Sequence, residues 1–309
     1  MRLVTYERDG RSRSGVVAGG DVLDVRELAE WAGLAGAPEV GSVRAIVEAG
    51  AEVWGQLAAA AADAASAQVH REPLSGARLR APIEDPDKII CIGLNYRDHA
   101  EESNLALPAA PMLFAKFRNS LVGPAADVEV VPHSDAIDYE AELAVVIGRT
   151  AKNVPAERAL DHVAGVMAFN DLTARDIQHA TSQWTAGKAI DGFAPCGPAL
   201  VFLDEIADVQ SLPVRARVNG ETVQDGNTAD MIFPVAELIA FISRQTTLVP
   251  GDVIATGTPA GVGISRDPQI LLGEGDVVEV EIEGVGTLRN RFVPARDRLA
   301  TTDAATAAR

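Results

Sequence analysis

The stretch Ile137-Asp138-Tyr139-Glu140-Ala141-Glu142-Leu143-Ala144-Val145-Val146-Ile147 changes character half-way along. Its second half is an unbroken apolar run, which reads as a strand buried on both faces. Its first half carries an acid at every second position, and side chains two apart on a strand project from the same face. Asp138, Glu140 and Glu142 are therefore expected to form one row at the mouth of a buried strand, with neighbours roughly 6 to 7 Å apart. At an effective dielectric of about 20, each ionised pair repels by about 2 to 3 kcal/mol. A hard divalent cation, which prefers oxygen ligands, would remove that repulsion. The plainer alternative is a solvated acidic face. The chain supplies one for comparison in Val278-Glu279-Val280-Glu281-Ile282-Glu283, whose strict alternation indicates one face in water next to a hairpin closed by Gly284 and Gly286.

A third oxygen ligand is available at Asp171, where the apolar segment Val163-Ala164-Gly165-Val166-Met167-Ala168-Phe169-Asn170 ends. The competing reading is that Asn170 or Asp171 caps a helix over Thr173 to His179. Three carboxylates with open positions suit Mg²⁺ or Mn²⁺ better than Zn²⁺, since no His or Cys lies within ligand spacing.

Composition narrows the classes. The 309 residues are nearly half apolar, enough for one large or two modest domains. A formal charge of −17 argues against nucleic acid, whose phosphates need clustered Lys and Arg. No apolar run approaches the roughly 18 residues of a membrane span, and residues 1–20 carry strand and turn signals without a signal-peptide core. A soluble, cytoplasmic enzyme fits these features. The two cysteines, Cys91 and Cys196, are too few for a disulfide scaffold or a thiolate zinc cluster, and read as small buried hydrophobes.

Residues 1–80 read as a small N-terminal α+β domain: short strands around Asp9-Gly10 and Gly19-Gly20, a helix near Val25 to Ala32, and an Ala-rich helical stretch from Ser42 to residue 67. Pro82 and Pro86 mark a change of texture. Strands then dominate residues 81–296, with segments at Lys88 to Gly93, Asp138 to Gly148, Leu200 to Phe202, Val214 to Val218, Val253 to Thr256 and Val277 to Ile282. Asn219-Gly220 between two strand runs is a two-residue hairpin signal. Helices near Ala156 to Asp161 and Val235 to Gln245 interrupt the strands without a regular βα repeat, so the second part is a β-rich α+β domain. Residues 297–309 read as a flexible tail.

His99 and Glu102 stand three apart just after the Lys88–Gly93 strand, and on a helix they share a face. Such a pair can act as general base and orienter, although acids attracted to a helix start would explain Asp98, Glu101 and Glu102 without catalysis. Lys188, among small and apolar residues of a loop-like stretch, could offset an oxyanion or could snorkel over Trp184. Thr256-Gly257-Thr258-Pro259-Ala260-Gly261-Val262-Gly263 looks like a ligand-cradling loop, yet lacks a P-loop Gly-Lys-Ser/Thr and the spacing of a dinucleotide fingerprint.

Taken in order, Gly93-Leu94-Asn95-Tyr96-Arg97-Asp98-His99-Ala100-Glu101-Glu102, Asp138-Tyr139-Glu140-Ala141-Glu142-Leu143 and Phe169-Asn170-Asp171-Leu172-Thr173-Ala174-Arg175-Asp176 closely resemble the fumarylacetoacetate hydrolase family. So do residues 187–198, 218–224 and 256–263. The resemblance implies a β-rich mixed roll, usually a homodimer, with Mg²⁺ or Mn²⁺ held by Glu140, Glu142 and Asp171; Asp138 has no assured place in that set. It implies a 2-oxo or β-diketo acid as the small-molecule partner. The His99/Glu102 spacing looks like that of members with a water-activating dyad, so the expectation is a C–C bond hydrolase acting on an acylpyruvate or fumarylacetoacetate-like acid. In that scheme His99, oriented by Glu102, deprotonates water, while Lys188 and the loop at Gly257 and Thr258 hold substrate oxygens. Arg175 and Gln178 are further substrate contacts. The alternative is a decarboxylase or isomerase of a 2-oxo dicarboxylic acid using the same chelate. A third reading is a non-enzymatic, metal-stabilised β module whose Ala-rich leader binds a protein.

Overall fold

The computed structural model describes residues 1–34, 41–64 and 68–295. The tail expected over 297–309, the boundary at 296 and the end of the Ala-rich stretch lie outside these residues.

Ala141–Ile147 is buried at every position, as its unbroken apolar run requires, and so is Val163–Asn170, its antiparallel neighbour. They occupy the middle of a 12-stranded sheet. On one side the sheet continues through Ala194–Phe202 to the N-terminal strands Arg2–Arg8, Arg11–Ala18, Asp21–Asp24 and Arg71–Pro73. On the other it continues through Val253–Ala255 and Ile89–Gly93 to an edge strand, Met112–Lys116. The pairing of Val253–Ala255 with Ile89–Gly93 is parallel. A five-stranded sheet packs alongside, in the order Glu221–Asn227, Pro213–Val218, Val277–Ile282, Gly286–Val293, Val128–Glu129.

Alternation along the central strands divides the core. Leu143, Val145 and Ile147 cluster with Val214, Ala216, Val278 and Val280 of the smaller sheet. Ala144 and Val146 face the other way, into a cluster with Leu28, Val43, Ile46, Val47 and Leu57 of the N-terminal helices. Each fully buried Leu, Val or Ile of this kind contributes about 1.5 to 3 kcal/mol, so register is strongly specified where both faces are dry. The architecture is an α+β fold of mixed sheets with few helices.

Several local readings hold. Val277–Ile282 alternates between buried and partly exposed positions, so the second acidic row is the wet face of a strand. Asn219 and Gly220 both take positive φ, at 52° and 86°, the geometry a two-residue hairpin demands. Both cysteines are free and buried. No helix among the described residues is long and apolar enough to cross a membrane.

Other readings change. The Ala-rich stretch is two helices, Val43–Ala49 and Ala51–Asp63, separated at Gly50, whose φ of 85° a helix cannot continue through. The segment expected as one strand from Asp138 onward is split: Ile137–Asp138 pairs with Thr173–Ala174, and the long strand starts only at Ala141. The first 80 residues add their strands to the main sheet through antiparallel pairing of Arg2–Arg8 with Ala194–Phe202. A division of the chain at residue 80 stays a proposal.

Candidate metal centre and active site

Two neighbouring strands deliver the acids. Glu142 lies on Ala141–Ile147 and Glu140 just before it, while Asp171 follows the end of Val163–Asn170, its N–H bonded to the Glu140 carbonyl at 2.9 Å. One carboxylate oxygen from each of Glu140, Glu142 and Asp171 lies within 4.8 Å of the others, and all three residues are buried. Asp171 caps no helix: the short helix Arg175–His179 has no side-chain cap.

Asp138 does not join them. Pairing register is kept through Tyr139 and Glu140, and Asp138 is instead taken up by partners of its own. Its Oδ1 accepts the N–H groups of Tyr139 and Gly263 at 2.8 and 2.7 Å, and its Oδ2 accepts Ile264 N–H and Arg175 Nε at 3.1 and 2.8 Å.

Three buried cations answer the acids. Lys188 Nζ donates to Glu140 Oε2 at 2.7 Å and Asp171 Oδ2 at 2.8 Å. It stands at the end of the short helix Thr185–Lys188 with its ammonium 5.1 Å from the Phe114 ring, so it neither snorkels to solvent nor lies in a loop. Arg175 spans Asp138 and Glu140, its second terminal nitrogen 2.7 Å from Glu140 Oε1, and donates to Gln178 Oε1 at 3.2 Å. Lys116, which the sequence did not single out, lies 2.5 Å from Asp171 Oδ1 and donates to the Leu172 carbonyl at 2.9 Å. A lysine ending an apolar strand gives no sign of a partner 55 positions away.

With all four carboxylates ionised, as a bound dication would require, they outnumber the three cations by one negative charge. Burial pushes the Glu142 carboxyl well above the usual carboxylate range, with the charges of Asp171 and Glu140 adding to the rise. Burial acts on Glu140 in the same direction, but Lys188 and Arg175 outweigh it and hold its carboxyl at about 2. The donor set fits a hard dication. It is all oxygen, and Asp171 Oδ1 has no hydrogen bond despite its burial and the nearby Lys116 ammonium. A dication would turn the surplus negative charge into one positive charge, which favours an anionic ligand.

Glu140 and Glu142 open on a cavity of about 430 Å³ whose lining also includes His99, Glu102, Arg175, Gln178, Lys188 and Thr258. The helix Arg97–Glu102 brings the predicted pair together, with His99 Nδ1 2.7 Å from Glu102 Oε1. Leu105, Phe114 and Trp184 form an apolar part of the wall. A Cβ at Gly93 would stand 2.4 Å from the Trp184 ring, so this wall requires the glycine.

The 256–263 loop holds something other than the ligand expected of it. Gly257 donates its N–H to Glu142 Oε2 at 2.9 Å. Thr258 reaches the cavity, but its hydroxyl donates to the Ala141 carbonyl and accepts from Gln224 Nε2, at 2.9 and 2.8 Å. Gln224 in turn accepts the Ala141 N–H at 2.9 Å, tying the small sheet to the strand that carries Glu142.

The family model described as fumarylacetoacetate (FAA) hydrolase C-terminal matches residues 88–293. The human protein named oxaloacetate tautomerase FAHD2A, mitochondrial, is 47% identical over 232 residues, which are 74% of this chain and 74% of that protein. Among solved structures, the fumarylacetoacetate hydrolase of psychrophilic Exiguobacterium antarcticum is similar with a TM-score of 0.81 and 39% identity, over 96% of this chain and 100% of that one. The 2-hydroxyhepta-2,4-diene-1,7-dioate isomerase of Mycobacterium marinum has a TM-score of 0.72 and 31% identity, over 95% and 98%. Two expectations change. The human relative is mitochondrial by name, which overturns the cytoplasmic location inferred from composition. A tautomerase and an isomerase among the relatives favour the proton-moving alternative over C–C hydrolysis.

Proposed function

The chain belongs to the fumarylacetoacetate hydrolase family, and from that premise we propose that it is a divalent-metal-dependent enzyme that moves protons on a 2-oxo dicarboxylic acid, as a keto–enol tautomerase of oxaloacetate-like substrates. Decarboxylation or double-bond isomerisation of related acids would use the same residues. The observation that carries this reading is a buried carboxylate trio, two of whose members line one cavity together with a buried lysine and a carboxylate-oriented imidazole.

Glu140, Glu142 and Asp171 would hold Mg²⁺ or Mn²⁺. When bound, the ion supplies a Lewis acid for the 2-oxo group. His99 carries the proton. With Nδ1–H donated to Glu102, a tautomer assigned from that bond, Nε2 is the atom free to take a proton from the carbon beside the keto group and deliver it to oxygen. Lys188 faces the charge that develops on that oxygen, its ammonium kept protonated by Asp171 and Glu140 against the effect of burial. Gln178, whose Oε1 is taken by Arg175, is left with its amide N–H groups for the substrate, and Arg175 adds positive charge beside it. Thr258 contributes wall, and Gly257 supports Glu142 from behind.

Hydrolysis of an acylpyruvate is the second reading, favoured by the same 2.7 Å contact of His99 with Glu102, which would serve equally to deprotonate water. Assaying oxaloacetate and an acylpyruvate side by side with Mg²⁺ separates them. The first reading expects faster keto–enol interconversion, lost in His99→Ala; pyruvate release from the acylpyruvate alone would favour the second. We also keep a homodimer in the proposal. Its support is the edge strand Met112–Lys116, along which Met112 and Leu113 are exposed, with the exposed Phe117 following directly in the chain. Light scattering on the purified protein tests it.

A further inference from the structure

The eight residues Gly257–Ile264 donate backbone N–H groups to three carboxylates that belong to three other elements. Gly257 reaches Glu142 at 2.9 Å, Gly261 reaches Glu102 Oε2 at 2.8 Å, and Gly263 and Ile264 reach the two oxygens of Asp138 at 2.7 and 3.1 Å. The backbone must come very close to do this. A Cβ on Gly261 would stand 2.2 Å from the Val223 carbonyl, and one on Gly263 would stand 2.0 Å from the Ile270 carbonyl and 2.6 Å from Asp138 Oδ1. The φ of Gly261, 101°, also excludes other residues. Tyr139 adds a further tie, its hydroxyl donating to the Gly261 carbonyl at 3.0 Å.

Asp138 is where these ties meet. Fully buried, it accepts four donors, two from this segment, one from its own chain neighbour and one from Arg175. Arg175 passes the constraint to Glu140, and Gly261 passes it to Glu102 and so to the His99 imidazole. Resting on the roles just given to Glu140 and His99, we infer that Asp138 is a positioning residue: through Gly261–Ile264 and Arg175 it fixes the spacing between the His99–Glu102 pair and the carboxylate trio.

Asp138→Asn keeps the shape but places an amide N–H₂ against donors that both oxygens now satisfy, so the segment must shift. The test reads the imidazole directly, by ¹⁵N NMR of histidine-labelled protein after chelator treatment. Wild type is expected to show His99 as the Nδ1–H tautomer. In Asp138→Asn that signal should move toward a mixture of tautomers, with kcat lowered by about tenfold or more and KM changed much less. Tyr139→Phe, which loosens the same segment and keeps a buried ring, should move the His99 signal less and in the same direction, and stands in if Asp138→Asn does not fold. An unchanged His99 signal in the variants that fold overturns the inference, even if their melting temperature falls. A displaced signal in a protein that turns over no 2-oxo acid would support the positioning role and refute the proposed activity.

Discussion

Lys116 Nζ lies 2.5 Å from Asp171 Oδ1, and neither side chain has any exposure to solvent. The pair joins the edge strand Met112–Lys116 to the tip of a central strand, behind the carboxylates that face the cavity. Removing one partner of a buried pair leaves the other charge without compensation. Lys116→Met is expected to lower stability by about 3 to 5 kcal/mol in urea denaturation. A loss below about 1 kcal/mol would mean that Lys188 alone compensates Asp171.

Glu142→Gln should separate metal binding from folding. The raised Glu142 carboxyl resembles a neutral group before any metal binds, so a neutral amide of the same shape costs little. The chelator-treated variant is expected to melt at or slightly above the wild-type temperature. It should lose the rise in melting temperature that Mn²⁺ gives wild type. A variant that unfolds without metal would show that the Glu142 charge is structural.

Metal affinity should rise with pH. A dication needs Glu142 ionised, and burial together with Asp171 and Glu140 favours its protonated form, so binding expels a proton. Glu140 releases none, since Lys188 and Arg175 already hold it ionised. For the metal-free fold the sign follows from the raised folded value: the contribution of Glu142 is complete below the ordinary glutamate range and is lost as pH rises through the raised one. Calorimetry with Mn²⁺ in two buffers of different ionisation enthalpy measures the proton directly. Heats that do not depend on buffer would show Glu142 ionised beforehand.

What the sequence made legible was whatever depends on neighbours in the chain. The apolar run after Glu142 predicted a strand buried on both faces, the strand ending in Asn170-Asp171 predicted a carboxylate at its tip, and the i, i+3 spacing of His99 and Glu102 predicted their contact. Period-two alternation could not show that Asp138 is kept out of the carboxylate trio, because its partners lie far away in the chain. Asp138 is held by Arg175 and by the N–H groups of Gly263 and Ile264, and the pattern around residue 138 contains none of these. Lys116 was missed for the same reason. The 256–263 loop was read as a cradle for a ligand, but what its N–H groups hold are the protein's own carboxylates, a distinction that glycine spacing does not encode.

The central claim is that Glu140, Glu142 and Asp171 hold a dication at which a 2-oxo dicarboxylic acid exchanges its keto and enol forms. The most direct measurement follows the enol absorbance of oxaloacetate with chelator-treated protein, before and after Mg²⁺ is restored, against Mg²⁺ in buffer alone. The account predicts interconversion well above the buffer rate only when protein and Mg²⁺ are both present, and its loss in Asp171→Asn. A rate no faster than Mg²⁺ in buffer, or one that chelation leaves undiminished, would contradict it.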